Sequence, residues 1–289
     1  EFTLRQVLRN EWGFDGFVVS DWGSVTELVN HGYAADEKDA AAKAINAGVE
    51  MEMATTSYFD NIKALLDEKK ISQEQIDDAV RNILRVKYKL GLFEKPYVDT
   101  EAQKKMLDPL FLEHARTVAR QSTVMLKNDN RTLPLNADKI SSVAVIGPLA
   151  DAPRDQLGTW CFDGLPENSV TPLTAIRDLL GEKKVNYVEG LEYSRDKRTD
   201  KFNAALAAAR RSDVILFFAG EEWVLSGEGQ SRGEINLPGA QSELISELAK
   251  TGKPLVIVVM AGRPLAIGDE LEESEAMLYA WHGGTMAGP

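Results

Sequence analysis

The strongest constraint on the fold of this chain is a series of five short apolar runs, four of them containing β-branched residues, in its second half, separated in part by segments with helical periodicity. The runs are Val143 to Gly147, Val185 to Glu189, Asp213 to Gly220, Pro254 to Met260 and Ala276 to Trp281. Helices read at Pro172 to Leu180, Lys201 to Arg211 and Pro238 to Lys250 lie between several of them. Strands buried on both faces show continuous apolar runs rather than alternation. Such strands alternating with helices imply an α/β domain with a doubly wound, mostly parallel sheet. In sheets of that kind, ligands and reactive groups gather outside the carboxyl ends of the strands.

The first part of the chain reads as βα units. Phe2 to Trp12 has near-helical apolar spacing, and Gly13 with Asp15-Gly16 supplies a turn. Phe17 to Ser20 then has the length and branching of a buried strand, with Asp21 at its carboxyl end. Asp36 to Ala47 reads as a helix stopped by Gly48, and Val49 to Met53 as another strand. Ser72 and Gln75 form a capping-box pattern ahead of a long amphipathic helix that ends near Gly91. Residues 94–109 are polar and contain Pro96 and Pro109, the composition of a linker, and a helix from Leu110 to Lys127 leads onward. The expected division is therefore 1–93, a linker at 94–109, and 110–289. Two strands cannot close a barrel of about eight, so the first segment reads as a fragment of a larger unit. The last strand runs into Gly283-Gly284 without a covering element, so both ends read as cut.

Composition narrows the chemistry. Forty-five acidic residues against 33 basic ones give a formal charge of -12 over 289 residues. That balance excludes a broad basic footprint for nucleic acid. Charged residues interrupt every apolar run before the roughly 18 residues of a membrane helix. No basic-then-apolar leader stands at the start of this stretch. The single cysteine, Cys161, cannot form an intrachain disulfide or a thiolate metal site, and three scattered histidines do not make one either. No metal or organic cofactor is expected. The strand ending Ile146-Gly147-Pro148-Leu149-Ala150 lacks a dinucleotide fingerprint, and no G-x-S-x-G is present.

Two acidic clusters follow strand ends. Asp21 is the first, although Ser20 and Asp21 would equally well start a turn. Trp22 beside it offers an apolar face on which a sugar ring can stack, though a loop tryptophan more often simply packs. His31 follows closely enough to line the same pocket; His31, His114 and His282 otherwise read as structural or exposed. The second cluster is Glu221-Glu222 with Ser226-Gly227-Glu228-Gly229-Gln230-Ser231-Arg232. Glu221 and Glu228 are both candidates, and spacing does not choose between them. The flanking glycines suit a loop whose backbone approaches a ligand, while a solvated acidic loop with Arg232 as a surface partner is the simpler alternative. Two carboxylates from different domains can flank a glycosidic bond, one attacking the anomeric carbon and one protonating the leaving oxygen.

The run Leu8-Arg9-Asn10-Glu11-Trp12-Gly13-Phe14-Asp15-Gly16-Phe17-Val18-Val19-Ser20-Asp21-Trp22-Gly23 closely resembles the nucleophile segment of glycoside hydrolase family 3. Asn46 to Met53 resembles the family's next barrel strand, and Val118 to Lys127 with Leu133-Pro134-Leu135 resembles the start of its α/β sandwich. Ser226 to Arg232, followed by Leu237-Pro238 and Gln241, resembles its acid/base loop. The resemblance implies the C-terminal part of a (β/α)8-like barrel followed by an α/β sandwich. It implies a retaining, exo-acting β-glycosidase, of β-glucosidase type, with Asp21 as nucleophile and Glu228 as acid/base, Glu221 being the fallback. Trp22, His31 and Arg232 are the expected substrate contacts, and a small oligosaccharide or β-glycoside the expected partner. A β-xylosidase or an inactive sugar-binding fragment is the alternative. This stretch alone lacks most of the sugar pocket and is expected to be inactive. Similarity to bacterial periplasmic β-glucosidases implies a periplasmic or secreted protein. Glu50 departs from the pattern, standing where the family usually has Asp.

Overall fold

In the computed structural model, residues 1–289 are described, the side chains of Gln103 and Lys104 excepted. The chain divides into two compact units, Glu1–Gln103 and Lys104–Pro289.

The first unit opens with a π-helix, Phe2–Glu11, followed by β1, Val19–Trp22. The strand begins two residues later than its apolar run suggested, so Asp21 lies within it rather than after it. Helix α1, Ser24–Asn30, and α2, Glu37–Ala47, follow, then β2, Met51–Met53, α3, Ser57–Asp67, and α4, Gln73–Lys89. Strands β1 and β2 pair in parallel, Val19 opposite Met51 and Trp22 opposite Met53. Helix ends follow local chemistry. Asp36 caps α2 by accepting from the Asp39 amide at 2.8 Å, and Gly48, at φ +100°, takes the left-handed position that ends it. Ser72 and Gln75 cap α4 reciprocally, Gln75 N–H to Ser72 Oγ at 3.2 Å and Ser72 N–H to Gln75 Oε1 at 2.8 Å. Ala40, Ala41, Ala44 and Ile45 of α2 pack with Val25, Tyr58 and Leu65 in a small core. Trp12, Trp22, Phe59 and Tyr88 are exposed.

The second unit starts with α5, Pro109–Ser122, and β3, Val124–Asn128. The single helix expected from Leu110 to Lys127 is therefore two elements. Thr123 turns extended, and the β-branched and apolar residues after it pair antiparallel with a distant strand, Val124 opposite Tyr279 and Asn128 opposite Ala276. The remaining elements are β4, Val143–Ile146; α6, Pro172–Leu180; β5, Val185–Val188; α7, Phe202–Arg210; β6, Val214–Gly220; α8, Gln241–Ala249; β7, Leu255–Met260; α9, Gly268–Glu273; and β8, Ala276–Tyr279.

The six strands order as β3-β8-β7-β6-β4-β5, five of them parallel with β3 as the antiparallel edge. Alternate residues of the central strands serve two cores. Ala144, Ile146, Ile215, Phe217 and Ile257 face α7 and α8, packing with Ala205, Leu244, Ile245 and Leu248. Val143, Val145, Phe218, Val256 and Met260 face the other way, against Leu149 and Leu173. Each fully buried Leu or Ile here contributes about 1.5–3 kcal/mol. The chain therefore has an α/β fold with a mostly parallel sheet. Strand order reverses between β4 and β6, each of which has its next neighbour on the opposite side, and this is where such sheets open a crevice at the carboxyl ends.

Candidate active site

Asp21 is held by the pairing of β1 with β2. Met53 N–H donates to Ser20 Oγ at 2.9 Å, and Ser20 Oγ donates to the Asp21 carbonyl at 2.8 Å. The Asp21 carboxylate accepts from the Trp22 amide at 2.6 Å and is otherwise unengaged by described residues. Gly23, at φ +68°, turns the chain into α1 while its N–H reaches Met53 O at 3.0 Å. The result is an exposed carboxylate on a strand end pinned from both sides. Trp22 is 75% exposed and His31, after α1, is exposed too, so neither is committed to a core.

Glu50 supports the strand. Its carboxylate accepts from Val18 N–H at 2.7 Å, from Asn82 Nδ2 at 3.3 Å and from Arg9 in a half-buried ion pair. Glu52 accepts from Tyr58 N–H and Thr55 Oγ1, each at 2.6 Å, tying β2 to the start of α3. Burial pushes the Tyr58 hydroxyl above its ordinary pKa, assisted by the nearby Glu52 and Glu50 charges.

In the second unit, the acidic loop leaves β6 beside β4, at the point where strand order reverses. Gly220, at φ +136°, is required there: a Cβ would lie 1.8 Å from the Met260 carbonyl of β7. Glu221 follows and is completely buried. One of its oxygens accepts from Arg232 Nη1 at 2.5 Å, the other from Arg263 Nε at 3.2 Å. Glu222 accepts from Ser194 Oγ at 2.7 Å and from Arg195 through both oxygens. Burial alone would raise the Glu222 pKa, but the Arg195 and Ser194 hydrogen bonds together hold it below the ordinary value.

Glu228 stands apart from these two. It is exposed between Gly227, at φ +107°, and Gly229, at φ +73°, and its carboxylate has no hydrogen-bond or ion-pair partner among the described residues. The loop around it is nonetheless fastened. Trp223 N–H donates to Asp155 at 2.9 Å, and the Arg154 guanidinium sits 4.4 Å from the Trp223 ring centre. Burial raises the Asp155 pKa, and the Trp223 hydrogen bond opposes the shift. Thr159 Oγ1 lies 2.6 Å from Trp223 O and 2.7 Å from Ser226 O.

Of the expected site residues, Asp21, Trp22 and His31 belong to the first unit, and Glu221, Glu228 and Arg232 to the second, where they share one loop. Arg232 spends at least one N–H on Glu221. Arg263 and Thr159 were not singled out in the sequence. Arg263 was findable, because it follows the carboxyl end of β7, the strand next to β6. Thr159 had no local signal, since its contacts lie 64 and 67 residues away. Trp160 and Phe162, both exposed and edge-on at 6.0 Å, lie on the same segment as Thr159. Among the described residues no group of three or more His, Cys, Asp or Glu side chains is placed to hold a metal ion, and no helix is long and apolar enough to cross a membrane.

The candidate residues lie on a pair of acidic segments, one on a strand and one following a strand of an α/β fold, and comparison with known proteins gives the family. The model of the glycosyl hydrolase family 3 N terminal domain matches residues 1–86, and that of the family 3 C-terminal domain matches residues 123–289. The chain belongs to glycoside hydrolase family 3. It is 40% identical to a periplasmic β-glucosidase of Salmonella typhimurium strain LT2, over 99% of this chain and 41% of that protein. It is 38% identical to a β-xylosidase of Formosa agariphila, over 99% of this chain and 42% of that one. A crystal structure of β-glucosidase from Listeria innocua in complex with glucose superposes with a TM-score of 0.92 at 37% identity, covering 99% of this chain and 39% of that one. The chain thus spans about two fifths of the length of these relatives.

Proposed function

We propose that the full-length protein carrying this chain is a retaining, exo-acting β-glucosidase that releases terminal non-reducing β-D-glucosyl residues, with Asp21 as nucleophile and Glu228 as acid/base. The observation that carries the assignment of roles is the contrast among the acidic residues. Asp21, on β1, and Glu228, at the tip of the loop after β6, are exposed and nearly unengaged, whereas Glu50, Glu221 and Glu222 are tied up by arginines, a backbone amide and a serine hydroxyl. The chemistry needs no cofactor. Asp21 attacks the anomeric carbon, the bond to the leaving oxygen breaks, and Glu228 gives that oxygen its proton. Glu228, now a base, takes a proton from water as the water displaces Asp21, which restores both carboxyls and the β configuration. Trp22 and His31, both exposed near Asp21 in sequence, are the side chains available to contact the sugar.

Similarity to the Formosa β-xylosidase supports a second reading, a xylosidase or mixed specificity, and an inactive sugar-binding protein is the third. The similarity to a periplasmic relative supports a periplasmic or secreted location. We place the barrel part at 1–93, a linker at 94–109 and the sandwich at 110–289.

Leaving-group chemistry tests the roles in the full-length protein. Asp21→Asn should abolish turnover of every substrate, because no covalent intermediate can form. Glu228→Ala should lose on the order of 10²-fold or more with an alkyl glycoside or disaccharide. It should keep formation of the intermediate with a nitrophenyl glycoside, and azide should restore turnover by yielding a β-glycosyl azide. Equal losses with both substrate types and no azide rescue would remove Glu228 from the acid/base role. Binding of glucose with no turnover in the unaltered protein would remove the enzyme reading itself, and faster cleavage of xylosides than glucosides would replace the sugar.

A further inference from the structure

The loop that carries Glu228 is long, exposed at its tip and bracketed by two glycines in left-handed conformation, yet an acid/base must be held to within fractions of an ångström of its working position. The structure contains a device for this below the loop. Glu221 is 0% exposed, and both its carboxylate oxygens are engaged by guanidinium groups, Arg232 at 2.5 Å and Arg263 at 3.2 Å. Arg263 then reaches upward, and its Nη2 donates to two carbonyls on either side of Glu228, Leu225 and Gln230, the latter at 2.7 Å. The position of Arg263 is fixed in turn by Tyr279, whose hydroxyl donates to the Arg263 carbonyl at 2.5 Å. Arg232 fastens the far end of the same loop to the same buried carboxylate. One buried acid thus ties down both shoulders of the segment from Leu225 to Arg232, and the exposed residues Gly227 to Ser231, Glu228 among them, lie between those shoulders.

We infer that Glu221, acting through Arg263 and Arg232, is the positioning residue for the acid/base Glu228. This rests on the assignment of Glu228 proposed above. A carboxyl with no exposed surface and both oxygens occupied cannot touch a substrate, so Glu221 acts only through its two partners. Removing its charge leaves two partly buried guanidinium groups without their counter-ion, and bidentate or bridging arginine contacts are the ones that fix geometry as well as charge. The tip then samples positions from which Glu228 no longer reaches the leaving oxygen, and general acid catalysis fails while the attack by Asp21 does not.

The test uses the full-length protein and three single variants, Glu221→Gln, Arg263→Lys and Glu228→Ala, with the double variant Glu221→Gln/Glu228→Ala. Thermal melts accompany kcat and KM for a nitrophenyl and an alkyl glycoside, with and without azide. Glu221→Gln should lower kcat for the alkyl glycoside by about tenfold or more, a part of the general-acid contribution, while KM and the first step with the nitrophenyl glycoside change little. The same substitution should cost nothing further once Glu228 is Ala, because residues that act through one another are non-additive. Arg263→Lys keeps the charge but loses the forked contact to Leu225 and Gln230. It should show the same leaving-group dependence, and it carries the test if Glu221→Gln does not fold. Equal losses with both substrates, or a loss that persists in the double variant, would reduce Glu221 to a purely structural ion pair. Azide rescue of Glu221→Gln without rescue of Glu228→Ala would make Glu221 itself the acid/base and overturn the inference. If Glu228→Ala shows no leaving-group dependence while Glu221→Gln also shows none, the acid/base reading falls first and the inference with it.

Discussion

Acidification should destabilise this chain through His282, and the size of the effect follows from where the ring sits. The imidazole lies against Gly158 and Gly262, whose Cβ positions would fall 3.3 Å from His282 atoms, and neither ring nitrogen has a hydrogen-bond partner among the described residues. Burial lowers its pKa from 6.5 to about 4. A base whose folded pKa is depressed is neutral in the fold while the unfolded chain binds a proton, so between those two values stability falls as pH falls. Above about pH 6.5 and below about pH 4 the contribution is flat. A gap of about 2.5 between the two pKa values, at about 1.4 kcal/mol each, amounts to about 3.5 kcal/mol at full protonation, of which about 2 kcal/mol is lost by pH 5. Urea unfolding of the wild type and of His282→Asn at pH 7.5, 6 and 5 isolates this term, because carboxylates titrating in the same range cancel in the difference. The wild type should lose about 2 kcal/mol more than the variant between pH 7.5 and 5. If the difference between the two proteins stays constant across that range, within about 0.5 kcal/mol, burial of a neutral imidazole is not what the ring contributes.

Two further predictions concern the backbone. Gly220→Ala places a methyl group 1.8 Å from the Met260 carbonyl at a φ of +136°, so the end of the β6–β7 pairing must open. The loss should be about 3 kcal/mol or more in a denaturant melt, and a melt unchanged within about 0.5 kcal/mol would show that this strand end is not held as described. Ser72→Ala removes the hydroxyl that accepts from Gln75 N–H at the start of α4. It should cost about 1 kcal/mol by the same measurement, whereas no loss would mean that the reciprocal Gln75 contact alone secures the helix start.

The two candidate carboxylates in one loop show the limit of local reading most clearly. Glu221 and Glu228 are seven positions apart in a polar, glycine-rich stretch, and nothing in that stretch says which is buried. The difference is made by Arg263, 42 residues from Glu221, and by the backbone of β7 beneath it. Arg232, read as a substrate contact or a surface partner, pairs through one nitrogen with a buried acid in its own loop, a contact that no local pattern announced. In contrast, a strand leading into Asp21 was legible from Phe17-Val18-Val19-Ser20 alone, although the strand begins two residues later and includes Asp21. Helices α1 and α3 escaped notice because they are seven and eleven residues long and carry no strong break or capping pattern.

What the amino-acid order determined by itself is the part governed by neighbours in the chain. The five parallel strands are legible because burial on both faces demands unbroken apolar runs, and the starts and stops of α2 and α4 because Asp36, Gly48, Ser72 and Gln75 satisfy backbone groups a few residues away. What only the tertiary structure decided is the part governed by distant partners. Residues 124–128 continue an apolar helical pattern, yet they form the edge strand β3, because pairing with β8 about 150 positions onward satisfies their backbone groups better than one more turn of helix would. The roles of Glu221 and Glu228 separate for the same reason: a carboxylate's task depends on whether water or guanidinium groups surround it, and that is settled by packing across the carboxyl ends of β6 and β7.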